Sequence, residues 1–155
     1  GVREIVVGRP TGEDGDEYLF RAIDDEALSV VVGNDHPLAK AKTVAFKQLL
    51  PFGWVLQPSG SPMRALIDQE FHEHHAPLPR DLIETGSILT TMNLVRHSDM
   101  VGVIPQAVAK DNEEHGILRI LPCKFGRNLE AYGSLVRRDR PLSKPAQQFL
   151  ELLHR

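Results

Sequence analysis

Two short stretches of this sequence put hydroxyls and a glycine at the start of an amphipathic run. They are Ser59-Gly60-Ser61, followed by Pro62, and Thr85-Gly86-Ser87, followed by Ile88. A serine at a helix N-cap accepts a hydrogen bond from a backbone N–H of the first turn, and proline suits the first helical position. That first turn also leaves N–H groups without intrahelical acceptors, and the aligned peptide dipoles make this end positive. Each junction therefore has two readings. It is an ordinary cap, or it helps cradle an anion, with the glycine letting a ligand approach the backbone. One junction alone favours the cap. Two on neighbouring strand–helix units bring the ligand reading level with it.

Other candidate chemistries are weaker. In "FHEHH", His72 and His75 stand three apart with Glu73 beside them, whereas the zinc-protease pattern needs histidines four apart. We read a solvated helix end and no metal site. Asp35 and His36 are neighbours in "VVGNDHP", but adjacency in sequence is not a triad and no serine is marked as a nucleophile. Neither a G-x-S-x-G elbow nor a P-loop occurs, so no enzyme is expected and no cofactor is called for. "RRDR" at 137–140 is broken by Asp139 and reads as a solvated turn. Cys123 is alone, which excludes an intrachain disulfide and a thiolate-rich metal site and fits a reducing compartment such as the cytoplasm.

The elements that must carry the two junctions follow from periodicity. A buried strand and then a turn are expected over 4–10, a central β-branched strand at 27–33, strands at 53–57 and 82–85, and a buried strand at 100–105. "TVAFKQLL" (43–50) reads as a short helix capped by Thr43 and stopped by Pro51. Met63, Leu66, Ile67 and Phe71 recur at helical steps and predict a helix over about 62–75. Ile88, Leu89, Met92 and Val95 do the same from Ser87, with His97-Ser98-Asp99 at the end, where a left-handed residue would have to be Ser or Asp. Pro105 opens a polar helix that Gly116 ends. Strands are expected at 117–122 and 129–138, and a last helix from Ser143 with Ala146, Phe149, Leu150 and Leu153 as its buried face. "TGEDGDEY" (11–18) reads as an acidic surface loop. Strand and helix alternate with short connections, the pattern of an α/β fold with a mainly parallel sheet.

Composition narrows the function. The 155 residues are 41% hydrophobic and 25% charged, ordinary for a soluble globular protein. A net charge of −3 is a poor footprint for nucleic acid, so any residues that touch DNA lie outside this chain. No apolar run reaches membrane-spanning length, and the start lacks the features of a signal peptide.

Several stretches in order resemble the effector-binding domain of LysR-type transcriptional regulators. They are "REIVVGRP", "LSVVVGNDHPLAK", "WVLQPSGSPMRALIDQEF", "IETGSILTTMNLVRHSDMVGVIPQAVA" and "SLVRRDRPLSKPAQQFLELL". The resemblance extends to the branch of galactose-binding-protein regulators and related aromatic-acid regulators. It implies a two-lobed fold like the type 2 periplasmic binding proteins, with a small anionic effector, a carboxylate or sugar-derived metabolite, held between the lobes. One lobe would be 28–120 and the other 1–27 with 121–155, the crossings falling at 27–33 and near Leu121 to Cys123. The resemblance places Ser59, Gly60, Ser61, Thr85, Gly86 and Ser87 at the effector, together with Gly8 and Arg9 from the other lobe. Arg9 offers a bidentate grip on a carboxylate, and is equally well read as a surface arginine. The first two β-α units of the discontinuous lobe, and the DNA-binding helix-turn-helix domain, would precede Gly1. The resemblance implies a homodimer or homotetramer for the whole regulator. The competing reading is a solute-binding module of a transport system on the same fold.

Overall fold

The computed structural model describes residues 5–8, 18–124, 128–137 and 141–154. The acidic stretch from 11 to 17, Arg9 and the 138–140 part of "RRDR" lie outside them. The chain divides into two compact units, one drawn from residues 27–129 and the other from 1–26 with 130–155.

In the first unit the sheet is built from the end of β2 (Tyr18–Val32), β3 (Trp54–Leu56), β4 (Leu82–Glu84), β5 (Val101–Pro105) and β6 (Arg119–Ile120). β3 pairs in parallel with β4 and with β5. β2 runs antiparallel to β5, with Val30 opposite Val103, and antiparallel to β6. The parallel set expected from the strand–helix alternation is thus β5, β3 and β4.

The end of β2, β3 and β5 read as unbroken apolar runs because both of their faces are covered. Leu28, Val30, Val32, Trp54, Leu56, Val101 and Val103 join one core, with Phe46, Leu49, Ile67 and Phe71. Val31, Val55 and Ile104, which alternate with them along the strands, join the other core with Val95, Ala109 and Leu118. The side-chain period of two sends alternate residues to opposite faces. Helix α1 (Pro62–Glu73) brings Ile67 and Phe71 to the first core, and α2 (Ile88–Arg96) and α3 (Gln106–Glu114) bring Val95 and Ala109 to the second. Burying each such large side chain contributes roughly 1.5–3 kcal/mol.

The second unit pairs β1 (Ile5–Gly8) antiparallel with β7 (Asn128–Arg137), Ile5 opposite Val136, and carries α4 (Lys144–Leu153). Ser143 caps α4 as expected, its Oγ accepting from the Ala146 amide at 3.4 Å.

Four local expectations are corrected. The segment 46–49 is a 3-10 turn, and its start is held by Gln48 Oε1 accepting from the Ala45 amide at 2.8 Å, not by Thr43. β2 begins at Tyr18, well before the β-branched run that marks it, because Asp24, Asp25 and Glu26 mask any strand-like alternation. No left-handed residue ends α2. The Ser98 hydroxyl donates to the Leu94 carbonyl and accepts from the Met100 amide, which turns the chain without a positive φ. Along α4, Ala146, Leu150 and Leu153 are half-buried and Phe149 is 46% exposed, since an apolar stripe buries only where a layer lies opposite.

His36, in the "NDHP" turn, is a buried structural residue. Its Nδ1 accepts from the Leu38 amide at 3.0 Å, which leaves Nε2 as the protonated nitrogen donating to the Asp99 carbonyl at 3.0 Å. The ring also packs on Phe52. Burial pushes its pKa below 6.5, although the Asp99 carbonyl and carboxylate pull the other way. A second proton would point Nδ1–H at an N–H donor. The unfolded chain therefore takes up the proton first, so the stabilisation is intact above the unfolded pKa of about 6.5 and is lost as the pH falls through the folded value. Urea midpoints are expected to drop between pH 7.5 and 5.5 more steeply in the native chain than in His36→Gln. Equal slopes would reject this role.

Candidate functional site

β3 and β4 are in parallel register with Leu56 opposite Glu84, so both strands leave the sheet at the same end. The Thr85 amide continues the ladder to the Leu56 carbonyl at 2.9 Å. From there each chain turns into a helix. Ser61 is the N-cap of α1, with extended backbone and its Oγ accepting from the Arg64 amide at 3.2 Å. Ser87 is the N-cap of α2, its Oγ accepting from the Thr90 amide at 3.2 Å. Thr85 Oγ1 accepts from the Ser87 amide at 3.1 Å, which fixes the second loop internally.

The two loops are neighbours. A Cβ on Gly86 would lie 3.9 Å from Pro58 Cδ. Gly60 has φ +94, a left-handed conformation that a side chain would strain, and open space where its Cβ would be. Ser59, Gly60, Gly86 and Ser87 are exposed, while Ser61 and Thr85 are half-buried. Each capping hydroxyl uses an oxygen lone pair on its helix and keeps its own proton to donate. Two positive helix ends and two hydroxyl donors therefore lie side by side. Such an arrangement has the chemistry to suit a carboxylate, a phosphate or a sugar-acid oxygen.

Sequence reasoning missed the group that ties the loops together. Arg64, in the first turn of α1, is only 4% exposed. Its Nε donates to Asp68 Oδ1 at 2.9 Å, and its Nη1 donates to the Gln57 carbonyl at 2.9 Å and to Glu84 Oε1 at 3.1 Å. Burial works against its charge, but the ion pairs with Asp68 and Glu84 outweigh it and the pKa is raised, so the guanidinium stays charged. The signal was present: Arg64 precedes Ile67 and Phe71 at helical steps, a charge on the buried stripe. Gln57, also buried, donates from Nε2 to the Val103 carbonyl at 3.0 Å, and its Oε1 has no partner among the described residues.

Of the eight residues named from the sequence, the structure brings six together: Ser59, Gly60, Ser61, Thr85, Gly86 and Ser87. Gly8 ends β1 opposite Gly133 in the other unit, and Arg9 lies outside the described residues. Among the described residues no group of three His, Cys, Asp or Glu stands close enough to share a metal ion. His74, beside the "FHEHH" pair, stacks on Phe46 with ring centroids 4.3 Å apart.

A separate open cavity of about 560 Å³ is lined by residues 43–48, His74 and Pro122 to Lys124. None of the named site residues borders it. The Cys123 thiol on its wall is pushed up in pKa by burial and by the charge of Glu70, so it is not a ready nucleophile.

Comparison with known proteins gives a consistent picture. The family model described as the LysR substrate binding domain matches residues 4–155. The chain is 31% identical over 155 residues to the HTH-type transcriptional regulator GbpR of Azospirillum brasilense, covering 99% of this chain and 45% of that protein. It is 26% identical over 156 residues to the HTH-type transcriptional regulator PcaQ of Agrobacterium fabrum, covering 99% of this chain and 50% of that one. The chain thus spans about half the length of these relatives. Among solved structures, the CcmR regulatory domain of Synechocystis in complex with 2-PG superposes with a TM-score of 0.73 at 20% identity, over 97% of this chain and 72% of that one. The effector binding domain of QuiR in complex with shikimate gives 0.72 at 16% identity, over 97% and 70%. At these identities the likeness shows the fold.

Proposed function

Because the chain belongs to the LysR substrate-binding domain family and has its type 2 periplasmic-binding-protein-like fold, we propose that it is the effector-sensing part of a DNA-binding transcriptional regulator. A small anionic metabolite binds the Ser59–Ser61 and Thr85–Ser87 loops. The observation that carries this reading is the pair of serine-capped helix N-termini on adjacent parallel strands. The two compact units act as its lobes. Binding favours one arrangement of the lobes, and the whole regulator's DNA-binding domains, which lie outside this chain, respond by population shift. In this reading the regulator is a cytoplasmic homodimer or homotetramer, and the chain performs no catalysis. The relatives are transcriptional regulators, which favours this function over solute transport on the same fold.

Ser61→Ala is the direct test. Losing one hydrogen bond to a charged group should weaken effector binding by about 1 kcal/mol or more, roughly fivefold in affinity. Calorimetric titration of the complete effector domain with a panel of small carboxylates and phosphates measures it. An affinity equal to the native value would remove Ser61 from the site.

A further inference from the structure

We infer that Arg64 is a positioning residue that sets the spacing between the two anion-binding loops. The inference rests on the reading of those loops as the effector site. Three facts carry it. The guanidinium is buried, so its geometry is fixed by its partners and not by solvent. One nitrogen, Nη1, donates both to the Gln57 carbonyl, which precedes the Ser59–Ser61 loop, and to Glu84, which precedes the Thr85–Ser87 loop. The Arg64 amide is also the donor that holds Ser61 Oγ in its cap. A single residue thus grips the entry to one loop, the cap of its helix and the entry to the other loop. Asp68, one turn further along α1, holds Nε and stops the guanidinium from rotating. The rigid fork of arginine makes this possible, and the single ammonium of lysine does not reproduce it.

An anion that touches both helix ends gains from both only when they are held at the right separation. The strap keeps them there before the ligand arrives, which lowers the ordering cost of binding.

Glu84 supplies a test in which position and charge predict opposite signs. Its carboxylate lies next to the Thr85–Ser87 loop, so on electrostatics alone its removal should improve anion binding. The strap predicts the reverse. Glu84→Ala should weaken binding of sulfate, used as the probe, by about threefold or more despite the lost negative charge. Glu84→Gln, which keeps an acceptor for the guanidinium, should recover most of that loss. Sulfate binding is read from the backbone amide shifts of Met63 and Ile88 in nitrogen-15 spectra of the 155-residue chain.

Amide hydrogen exchange of the same variants, without any anion, reads the strap directly. Exchange at Ser61 and Ser87 should rise about tenfold in Glu84→Ala and in Arg64→Lys, while that at Val55 and Val103 stays as in the native chain. Tighter sulfate binding in Glu84→Ala, or unaltered loop exchange, overturns the inference. Faster loop exchange in the two variants, with no sulfate binding by the native chain, supports the strap and instead removes the anion reading of the loops.

Discussion

Replacing Trp54 by alanine is expected to destabilise the 27–129 unit by roughly 3–5 kcal/mol, the usual range for deleting a buried aromatic. Trp54 is fully buried at the start of β3. It meets Phe71 of α1 edge-on at 5.0 Å between centroids and Phe46 of the 3-10 turn at 6.1 Å. Phe46 and Phe71 in turn meet edge-on at 4.9 Å. The three rings bind one strand, one helix and one turn into a single core, and each holds the others in place. The indole Nε1–H donates to the Leu49 carbonyl at 3.1 Å, so truncation also removes one of that carbonyl's two donors and leaves it only the Phe52 amide. Trp54→Phe should fall between, since it keeps most of the apolar surface and loses the hydrogen bond. Urea unfolding followed by circular dichroism measures both. A loss below about 1 kcal/mol for Trp54→Ala would show that this core collapses to fill the space. Because Trp54 lies a few residues before the Ser59–Ser61 loop, the same change should loosen that loop.

Gly33→Ala is expected to cost about 1–3 kcal/mol, the range for forcing extra volume into a packed site. Gly33 follows β2 where the chain passes under the last turn of α2. A Cβ there would stand 2.6 Å from the Val95 carbonyl oxygen and 3.3 Å from that of Arg96. Both obstacles are backbone, so no rotamer change removes the clash and α2 must retreat. Its retreat would also shift Ser87 at the other end of the helix, so effector binding should weaken along with stability. Gly86→Ala is the control. Its Cβ would meet only Pro58 Cδ at 3.9 Å, ordinary contact, and its melting temperature should match the native chain. A native-like melting temperature in Gly33→Ala would show that α2 moves freely over β2.

The sequence by itself determined the elements whose information is local. Ser61, Ser87 and Ser143 cap the helices at which they were expected, because the capping bond spans three residues and needs nothing from elsewhere. The paired strand-to-helix loops were legible for the same reason. So were the covered central strands, the end of β2 with β3 and β5, which are apolar without alternation. Chemistry alone left Ser59 to Ser61 and Thr85 to Ser87 between cap and site, and the resemblance to the family put forward the site reading.

Only the tertiary structure decided what depends on residues distant in sequence. The two loops became one candidate site through the parallel register of Leu56 with Glu84, a pairing no local pattern encodes. Arg64 became a strap because Glu84, twenty residues on, meets it. His36 became a buried structural ring because the Asp99 carbonyl, sixty-three residues away, accepts its Nε2–H hydrogen bond. The apolar stripe of α4 shows the other side of the same limit. Periodicity says which side chains share a helix face, but burial is decided by what stands opposite, and Phe149 stays exposed. Local hydrogen bonds and side-chain period are written in neighbouring residues. Burial, ion pairs and register are written only in the contacts that folding makes.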